Sequence, residues 1–329
     1  MLFILKTYQM NTIKLSTIFI VFILVVFYGC SNEPKSTKSQ NECSTPAKKL
    51  TGERKNLNIS IFLDLSDRIS PTFNSNPSME YWKRDLGYIK SITEAFEIHL
   101  RNKKTVLIND NIKLFFKPLP DNIENIDNIV KEFDKNFTKD NATLENICSI
   151  SSKYSALLEK IYSTTLDQKE PDAKKSIDNY PGSDIYGYFK SNVKDYCIKP
   201  NHRNILFILT DGYMYWSGTN NKNSENKSNY ILSKELDKWG FNAKNYSTKI
   251  SNEKYGFQVP VTDLDNLEVF VIGLAPKRNW ELDVLNSYWS NWLKAMGIRN
   301  FQNDNWNSYL KQADLPSEMD NLIQNFIHN

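Results

Sequence analysis

Three strongly apolar segments, separated by long amphipathic stretches, constrain the fold of this chain more than any other feature. Residues 58–66 have the sequence NISIFLDLS, residues 203–212 have RNILFILTDG, and residues 266–274 have NLEVFVIGL. Apolar runs of this length are typical of strands that are buried on both faces of a sheet. Each segment therefore predicts one strand of a mainly parallel sheet with helices on both sides.

The stretches between these segments predict helices, because their apolar residues recur at steps of three and four. The clearest stretch covers residues 78–101, where Ser78 is the expected N-cap. A further strand is expected at 111–118, ended by Pro118. Other helices are expected at 123–136, 142–165, within 179–198, and at 229–240, 279–297 and 316–328. This order of elements predicts one α/β domain of doubly wound type over residues 57–329.

The first thirty residues have the layout of a secretory signal. Lys14 precedes the apolar stretch STIFIVFILVVFYG, which is short for a membrane span, and Cys30 follows it directly. A small residue followed by cysteine resembles the bacterial lipoprotein lipobox, which implies removal of residues 1–29 and a lipid on Cys30. An ordinary signal peptide or an uncleaved anchor helix is the alternative. We therefore expect a lipid-anchored protein of the bacterial cell envelope, at the outer membrane.

Residues 30–56 are polar and rich in Ser, Lys, Thr and Pro, which predicts a flexible tether between membrane and domain. Cys43 lies inside this tether and is expected to be exposed. Cys148 and Cys197 are then the cysteines that could pair in an oxidising compartment, and the sequence leaves that pairing open. None of the cysteines has metal-ligand spacing, and the three histidines are isolated along the chain.

Oxygen-bearing side chains stand where the predicted strands end. Asp64 and Ser66 follow the first strand, and Asp211 follows the strand FILT. Ser183 and Asp184 lie in the loop PGSDI, directly before a predicted helix. Ligands of an open parallel sheet bind beyond the carboxyl ends of its strands, so we expect these side chains to converge. Two carboxylates and two hydroxyls are a set of hard oxygen ligands that suits Mg²⁺ or Mn²⁺.

This arrangement resembles the von Willebrand factor type A (vWA) domain and its metal-ion-dependent adhesion site. That family carries a DxSxS loop after the first strand, a threonine about midway, and a later aspartate, often in a TDG context. Asp64 and Ser66 match the first two positions of the loop, Ser183 in GSDI matches the threonine, and Asp211 in LTDG matches the later aspartate. The resemblance covers residues 57–297. It implies a bound Mg²⁺ or Mn²⁺ whose open position is completed by a carboxylate from a partner protein.

Arg68 stands where the family has its second serine. A guanidinium cannot ligate a cation and repels one when it points into the site. Two outcomes follow: Arg68 points outward and water completes the site, or it folds inward, pairs with Asp64 and Asp211, and takes the place of the metal charge. Since Mg²⁺ keeps several waters readily, we favour the metal-competent interpretation. Asp184 is a second candidate modulator of the site.

Residues 213–265 form a long polar insertion directly after Asp211. Such insertions on a rigid scaffold usually carry recognition. Tyr213, Tyr215 and Trp216 stand at its base, and exposed Tyr and Trp are effective contact anchors. Packing beneath the loop explains these aromatic residues equally well. We expect a protein partner here, with membrane contact through the lipid anchor only.

Catalysis is not expected. If Asp64 were a phosphoryl acceptor, a second carboxylate would be needed two residues later, and that residue is Ser66. The motifs GxSxG, GxGxxG and GxxxxGK[ST] are absent. With 41 Lys and Arg against 38 Asp and Glu, the chain also has no electrostatic footprint for nucleic acid. The predicted function is metal-assisted protein binding. The second alternative is a metal-free structural domain in which Arg68 holds the loops together. The third is a phosphoester hydrolase.

Overall fold

The computed structural model describes residues 43, 48–52, 54–120, 123–167, 182–218, 226–298, 310–312 and 314–329. The predicted signal segment and Cys30 lie outside these residues, as does most of the predicted tether. Within the described ranges, no helix has the length and apolar character needed to cross a membrane.

Within the described residues, six strands form the central sheet, and two short strands pair separately. The strands are β1 (Asn56–Leu63), β2 (Asn109–Phe115), β3 (Lys135–Thr138), β4 (His202–Leu209), β5 (Lys227–Ser228), β6 (Gly256–Phe257), β7 (Leu267–Leu274) and β8 (Leu310–Gln312). The large sheet has the order β3-β2-β1-β4-β7-β8, and β5 pairs with β6. Only the pairing of β2 with β3 is antiparallel among the described strands. The predicted α/β class with a mainly parallel sheet is confirmed.

Helices cover both faces of this sheet. They are α1 (Tyr81–Arg101), α2 (Ile126–Glu132), α3 (Leu144–Cys148), α4 (Ile150–Asp167), α5 (Ile185–Ser191), α6 (Val193–Cys197), α7 (Ser233–Lys238), α8 (Tyr246–Ser251), α9 (Glu281–Ala295) and α10 (Pro316–His328). Successive side chains of a strand point to opposite faces. Ile61 of β1 accordingly packs with residues of α1, α4 and α10, whereas Phe62 packs with residues of α5, α6 and α9. Both faces of β1 are thus covered, as its apolar sequence requires.

The bounds of three predicted helices differ in the structure. The helix predicted at 123–136 ends at Glu132, and the chain continues as β3, which pairs antiparallel with β2. The helix predicted at 142–165 is divided at Ser149 into α3 and α4. Ser78 does not cap α1, which begins at Tyr81 after Glu80.

The cysteine pairing differs from the one left open by the sequence. Cys43 forms a disulfide with Cys148 at the end of α3, and Cys197 is a buried free thiol. Cys148 follows Ile147, which packs on the α1 face of the sheet, whereas Cys197 belongs to the hydrophobic cluster of the opposite face. Cys148 and Cys197 are therefore separated by the sheet, and the expectation that Cys43 stays exposed was wrong.

The start of the domain is held by polar contacts. The backbone N–H of Leu50 donates to Asn102 Oδ1 at 2.8 Å, and Arg54 Nη1 donates to the carbonyl oxygen of His328 at 2.8 Å. Leu50 and Arg54 belong to the stretch that is predicted from the sequence to be a tether. The described part of that stretch is therefore packed against the domain just before β1 begins.

The insertion after Asp211 is folded in its described part. It contains β5, α7, α8 and β6, and it contributes Leu236, Phe241 and Phe257 to the hydrophobic cluster around α9. Trp289 and Trp292 of α9 are fully buried in the same cluster. The insertion is thus a part of the core.

Candidate functional site

Three loops that are distant in sequence meet at the carboxyl ends of β1 and β4. Leu65, in the loop after β1, forms an isolated β-bridge with Gly182, in the loop before α5. The next residue, Ser183, forms a second bridge with Tyr215, in the segment after β4. The backbone therefore joins all three loops that carry the predicted ligands.

Asp64 is the most firmly fixed side chain of this site and is 1% exposed. Its Oδ1 accepts the backbone N–H of Ser66 at 2.9 Å, and its Oδ2 accepts the hydroxyl of Thr210 at 2.8 Å. The first bond shapes the loop in which Ser66 lies, half-buried. The second attaches the carboxylate to the residue after β4. Ser66 does not use its hydroxyl to cap the 3₁₀ turn that follows.

Asp211 lies beside Asp64 and is half-buried. Its Oδ1 accepts the N–H of Tyr213 at 3.0 Å. Burial, reinforced by the nearby charge of Asp64, raises the pKa of Asp211 from 3.8 to about 7, although Arg68 acts in the opposite direction. Asp211 therefore retains a proton more readily than an exposed aspartate does.

Ser183 brings an unpartnered hydroxyl to the same place. It is 4% exposed, and its Oγ has no hydrogen-bond partner among the described residues. Leaving a buried hydroxyl unsatisfied costs about 1–3 kcal/mol, so such groups are rare in native structures. Gly182 precedes it with φ +81°, and an added Cβ there would lie 2.9 Å from the ring of Trp216. The backbone that presents Ser183 therefore requires glycine.

Arg68 folds inward and is 2% exposed. Its Nε lies 3.7 Å from Asp64 Oδ2, and its Nη2 lies 2.6 Å from Oδ2 of Asp85 in α1. The outward position on which the favoured interpretation relied was therefore wrong: Arg68 points inward, and its main partner is Asp85 and not Asp211. Asp85 was missed by the sequence analysis because it lies on a helix outside the motif, seventeen residues from Arg68.

Two further aspartates flank the site: Asp184, a candidate from the sequence, and Asp67. Asp184 caps α5 by accepting the N–H of Gly187 at 2.9 Å, and it lies 3.7 Å from Lys117 Nζ. Asp67, which sequence reasoning left out, lies near enough to Asp64 for that charge, together with burial, to raise the pKa of Asp67. Lys277 acts in the opposite direction on Asp67.

The three aromatic candidates for partner binding have different environments. Tyr213 is buried, donates its hydroxyl to Glu281, and accepts the N–H of Lys277 at 2.9 Å. Packing is therefore the correct interpretation for Tyr213. Tyr215 is 41% exposed, and Trp216 is half-buried against Gly182. Tyr215 and Trp216 are the members that reach the surface beside Ser183.

The donor set fits a hard cation. It consists of the Asp64 and Asp211 carboxylates and of the buried Ser183 hydroxyl, which lacks a partner among the described residues. No three His, Cys, Asp or Glu side chains of the described ranges group together as a metal site. A cation held here would therefore rely on Ser66, Ser183 and water, as well as on Asp64 and Asp211.

Comparison with known proteins assigns no family. No protein-family model matches the sequence, and no match is found among characterised proteins. Proximal thread matrix protein 1 from the mussel byssus aligns at 11% identity and a TM-score of 0.35, over 84% of this chain and 48% of that one. The pilus adhesin SpaC from Lactobacillus rhamnosus GG aligns at 12% identity and a TM-score of 0.38, over 88% and 32%. The chain thus spans about half of the first protein and about a third of the second.

Proposed function

We propose that this chain carries a doubly wound, vWA-like domain that binds a protein partner through a divalent cation, Mg²⁺ or Mn²⁺. The observation that carries this proposal is the buried, unpartnered Ser183 hydroxyl, whose loop is bridged by backbone to the loops of Asp64 and Asp211. The strand order β3-β2-β1-β4-β7-β8 supports the vWA-like arrangement, because it changes direction between β1 and β4, where these residues lie.

Asp64, Ser66, Ser183 and Asp211 would hold the cation. When bound, it would supply a positive centre that accepts a carboxylate oxygen from the partner. Asp64 is kept in place by Thr210, and Ser183 is kept in place by the backbone bridge to Tyr215. Tyr215 and Trp216 border the site and would supply apolar contact around a charged group of the partner.

We further propose that the domain works in the bacterial cell envelope, attached by a lipid on Cys30. The Cys43–Cys148 disulfide supports an oxidising compartment, because disulfides of this kind persist outside the reducing cytosol. The second candidate function is a metal-free structural domain. Arg68 supports it, since its guanidinium already places one positive charge 3.7 Å from Asp64.

Calorimetric titration of the full chain with MgCl₂ and MnCl₂ tests the two candidates. We expect binding that is lost in Asp211→Ala and weakened in Ser183→Ala. Thermal unfolding should show the same linkage, with about 2.7 kcal/mol of added stability at a hundredfold excess of cation over Kd. Absence of both signals in the unmodified protein would establish the metal-free domain instead.

Partner binding is tested by capture from envelope extract with and without a chelator, using Ser183→Ala as the matched negative control. A partner that binds equally well in the presence of chelator and to the variant would contradict a cation-dependent mechanism.

Turnover of a generic phosphate ester that disappears in Asp64→Asn would instead support the hydrolase.

A further inference from the structure

The position of Arg68 poses an electrostatic difficulty for the proposed site. A guanidinium 3.7 Å from Asp64 Oδ2 is close enough to compete with a cation for that carboxylate. In a cation-binding protein, this charge must be compensated and kept from turning toward Asp64 and Asp211. The structure contains a group of residues that does both.

Asp85 of α1 and Tyr162 of α4 form this group with Arg68, and we refer to the three residues as the Arg68 clamp. Asp85 accepts from both terminal nitrogens of Arg68, at 2.6 Å for Nη2 and 3.4 Å for Nη1. The hydroxyl of Tyr162 donates to the same Oδ2 of Asp85 at 2.7 Å. All three residues are at most 2% exposed. A buried bidentate pair of this kind has one strongly preferred geometry.

The backbone holds the rest of the guanidinium. Arg68 Nε donates to the carbonyl oxygen of Asp64 at 3.1 Å, and Nη2 also donates to the carbonyl oxygen of Leu209 at 3.1 Å. Leu209 ends β4, and Asp64 directly follows β1. The guanidinium therefore joins the ends of the two central strands through their carbonyl groups, while its charge is directed to Asp85.

We infer that Asp85 and Tyr162 are positioning residues of the candidate cation site, which hold the terminal nitrogens of Arg68 and limit its approach to the Asp64 carboxylate to the 3.7 Å contact of Nε. This inference rests on the proposed function. With Asp85 in place, the Arg68 charge is matched within the clamp, and the negative charge of Asp64 and Asp211 remains for a cation. Without Asp85, the nearest remaining carboxylate for Arg68 is Asp64, and the guanidinium would occupy the site that the cation needs.

Titration of the full chain with MgCl₂ tests this role in Asp85→Asn and Tyr162→Phe. We expect Asp85→Asn to weaken Mg²⁺ binding about tenfold or more, as is typical for residues that orient metal ligands. Tyr162→Phe removes one hydrogen bond and no charge, and we expect it to weaken binding about threefold. A loss in Tyr162→Phe therefore separates positioning from a change of net charge.

Two controls complete the experiment. Tyr154 is also a fully buried tyrosine of α4, but its hydroxyl donates to the carbonyl oxygens of Ile112 and Phe133, so Tyr154→Phe should leave Mg²⁺ affinity unchanged. The double variant Arg68→Met/Asp85→Leu removes both charges of the clamp and should bind Mg²⁺ within about threefold of the unmodified protein.

The outcomes distinguish this inference from the proposed function. If the unmodified protein binds Mg²⁺ and both Tyr162→Phe and Asp85→Asn bind it equally well, the positioning role is wrong and the proposed function stands. If Asp85→Asn fails to fold, Tyr162→Phe and the double variant still decide the matter. If the unmodified protein binds neither Mg²⁺ nor Mn²⁺, both the proposed function and the positioning role are overturned.

Discussion

Thr210 donates its hydroxyl to Oδ2 of Asp64 across 2.8 Å and thereby attaches the end of β4 to the end of β1. Thr210 also accepts the N–H of Gly212 at 3.2 Å, so one hydroxyl organises both central loops of the candidate site. The carboxylate of Asp64 is fully buried, and its orientation depends on this contact.

Thr210→Val should therefore destabilise the protein, because it removes a donor from a buried carboxylate at almost constant volume. We expect a loss of about 1–3 kcal/mol in the free energy of unfolding, measured by urea titration. Thr165→Val is the matched control, since Thr165 is equally buried and its hydroxyl has no partner among the described residues. A loss at Thr165 as large as at Thr210 would contradict the importance of the Asp64 contact.

Asp211→Asn should change how stability depends on pH. Because the pKa of Asp211 is raised from 3.8 to about 7 in the folded protein, the folded state retains a proton that the unfolded state releases. The resulting stabilisation is complete below about pH 4 and is lost as the pH rises through about 7. Without added metal, the variant should gain stability over the wild type across this window, by on the order of 4 kcal/mol at pH 8.

Urea unfolding between pH 4 and pH 8 measures this difference. Asp140→Asn removes the same charge at an exposed position and serves as the control. A difference between Asp211→Asn and the wild type that does not grow with pH would show that the Asp211 carboxylate is not held at a raised pKa.

Gly182→Ala should disturb the loop that carries Ser183. The new methyl group would meet the Trp216 ring at 2.9 Å, and the residue would have to retain φ +81°. We expect a loss of about 1–3 kcal/mol in the free energy of unfolding. Gly52→Ala is the control, because Gly52 has φ +83° with nothing within 4 Å of an added Cβ. If the two variants lose equal stability, the contact with Trp216 contributes nothing.

Removing the disulfide should also destabilise the protein. The bond between Cys43 and Cys148 closes a segment with a sequence separation of 105 residues. Cys43→Ser/Cys148→Ser should lose about 2–4 kcal/mol in the free energy of unfolding, measured by urea titration.

Cys197, which is buried, should resist alkylation in the folded protein and react after unfolding. Alkylation of Cys197 at native conditions would show that the α6 region opens readily.

The apolar strands and the order of loops made much of this fold predictable. The strands at 58–66, 203–212 and 266–274 could be predicted because both of their faces are buried, so their composition is apolar throughout. β3, with only four residues and two of them exposed, has no such signature. Its strand conformation depends on pairing with β2, and a local sequence pattern does not reveal such a pairing.

The candidate site was predictable only for residues in loops: Asp64, Ser66 and Asp211 follow strands, and Ser183 lies in the loop before α5. Asp64, Ser66, Ser183 and Asp211 could be found because chain order and strand ends place them together. Asp85 and Tyr162 lie on helices within apolar stripes, where a single polar residue gives no indication of its partner. Their contacts, Asp85 with Arg68 and Tyr162 with Asp85, are visible only in the folded structure.

The contact between Arg54 and His328 lies at the end of β1 that is opposite to the candidate site. It holds the residues just before β1 at the end of the sheet where β1 starts. The candidate site lies one strand length away, after Leu63. Eight extended residues separate these two poles by about 26 Å. At this distance, neither side chain of the Arg54 contact can touch Asp64 or Ser183.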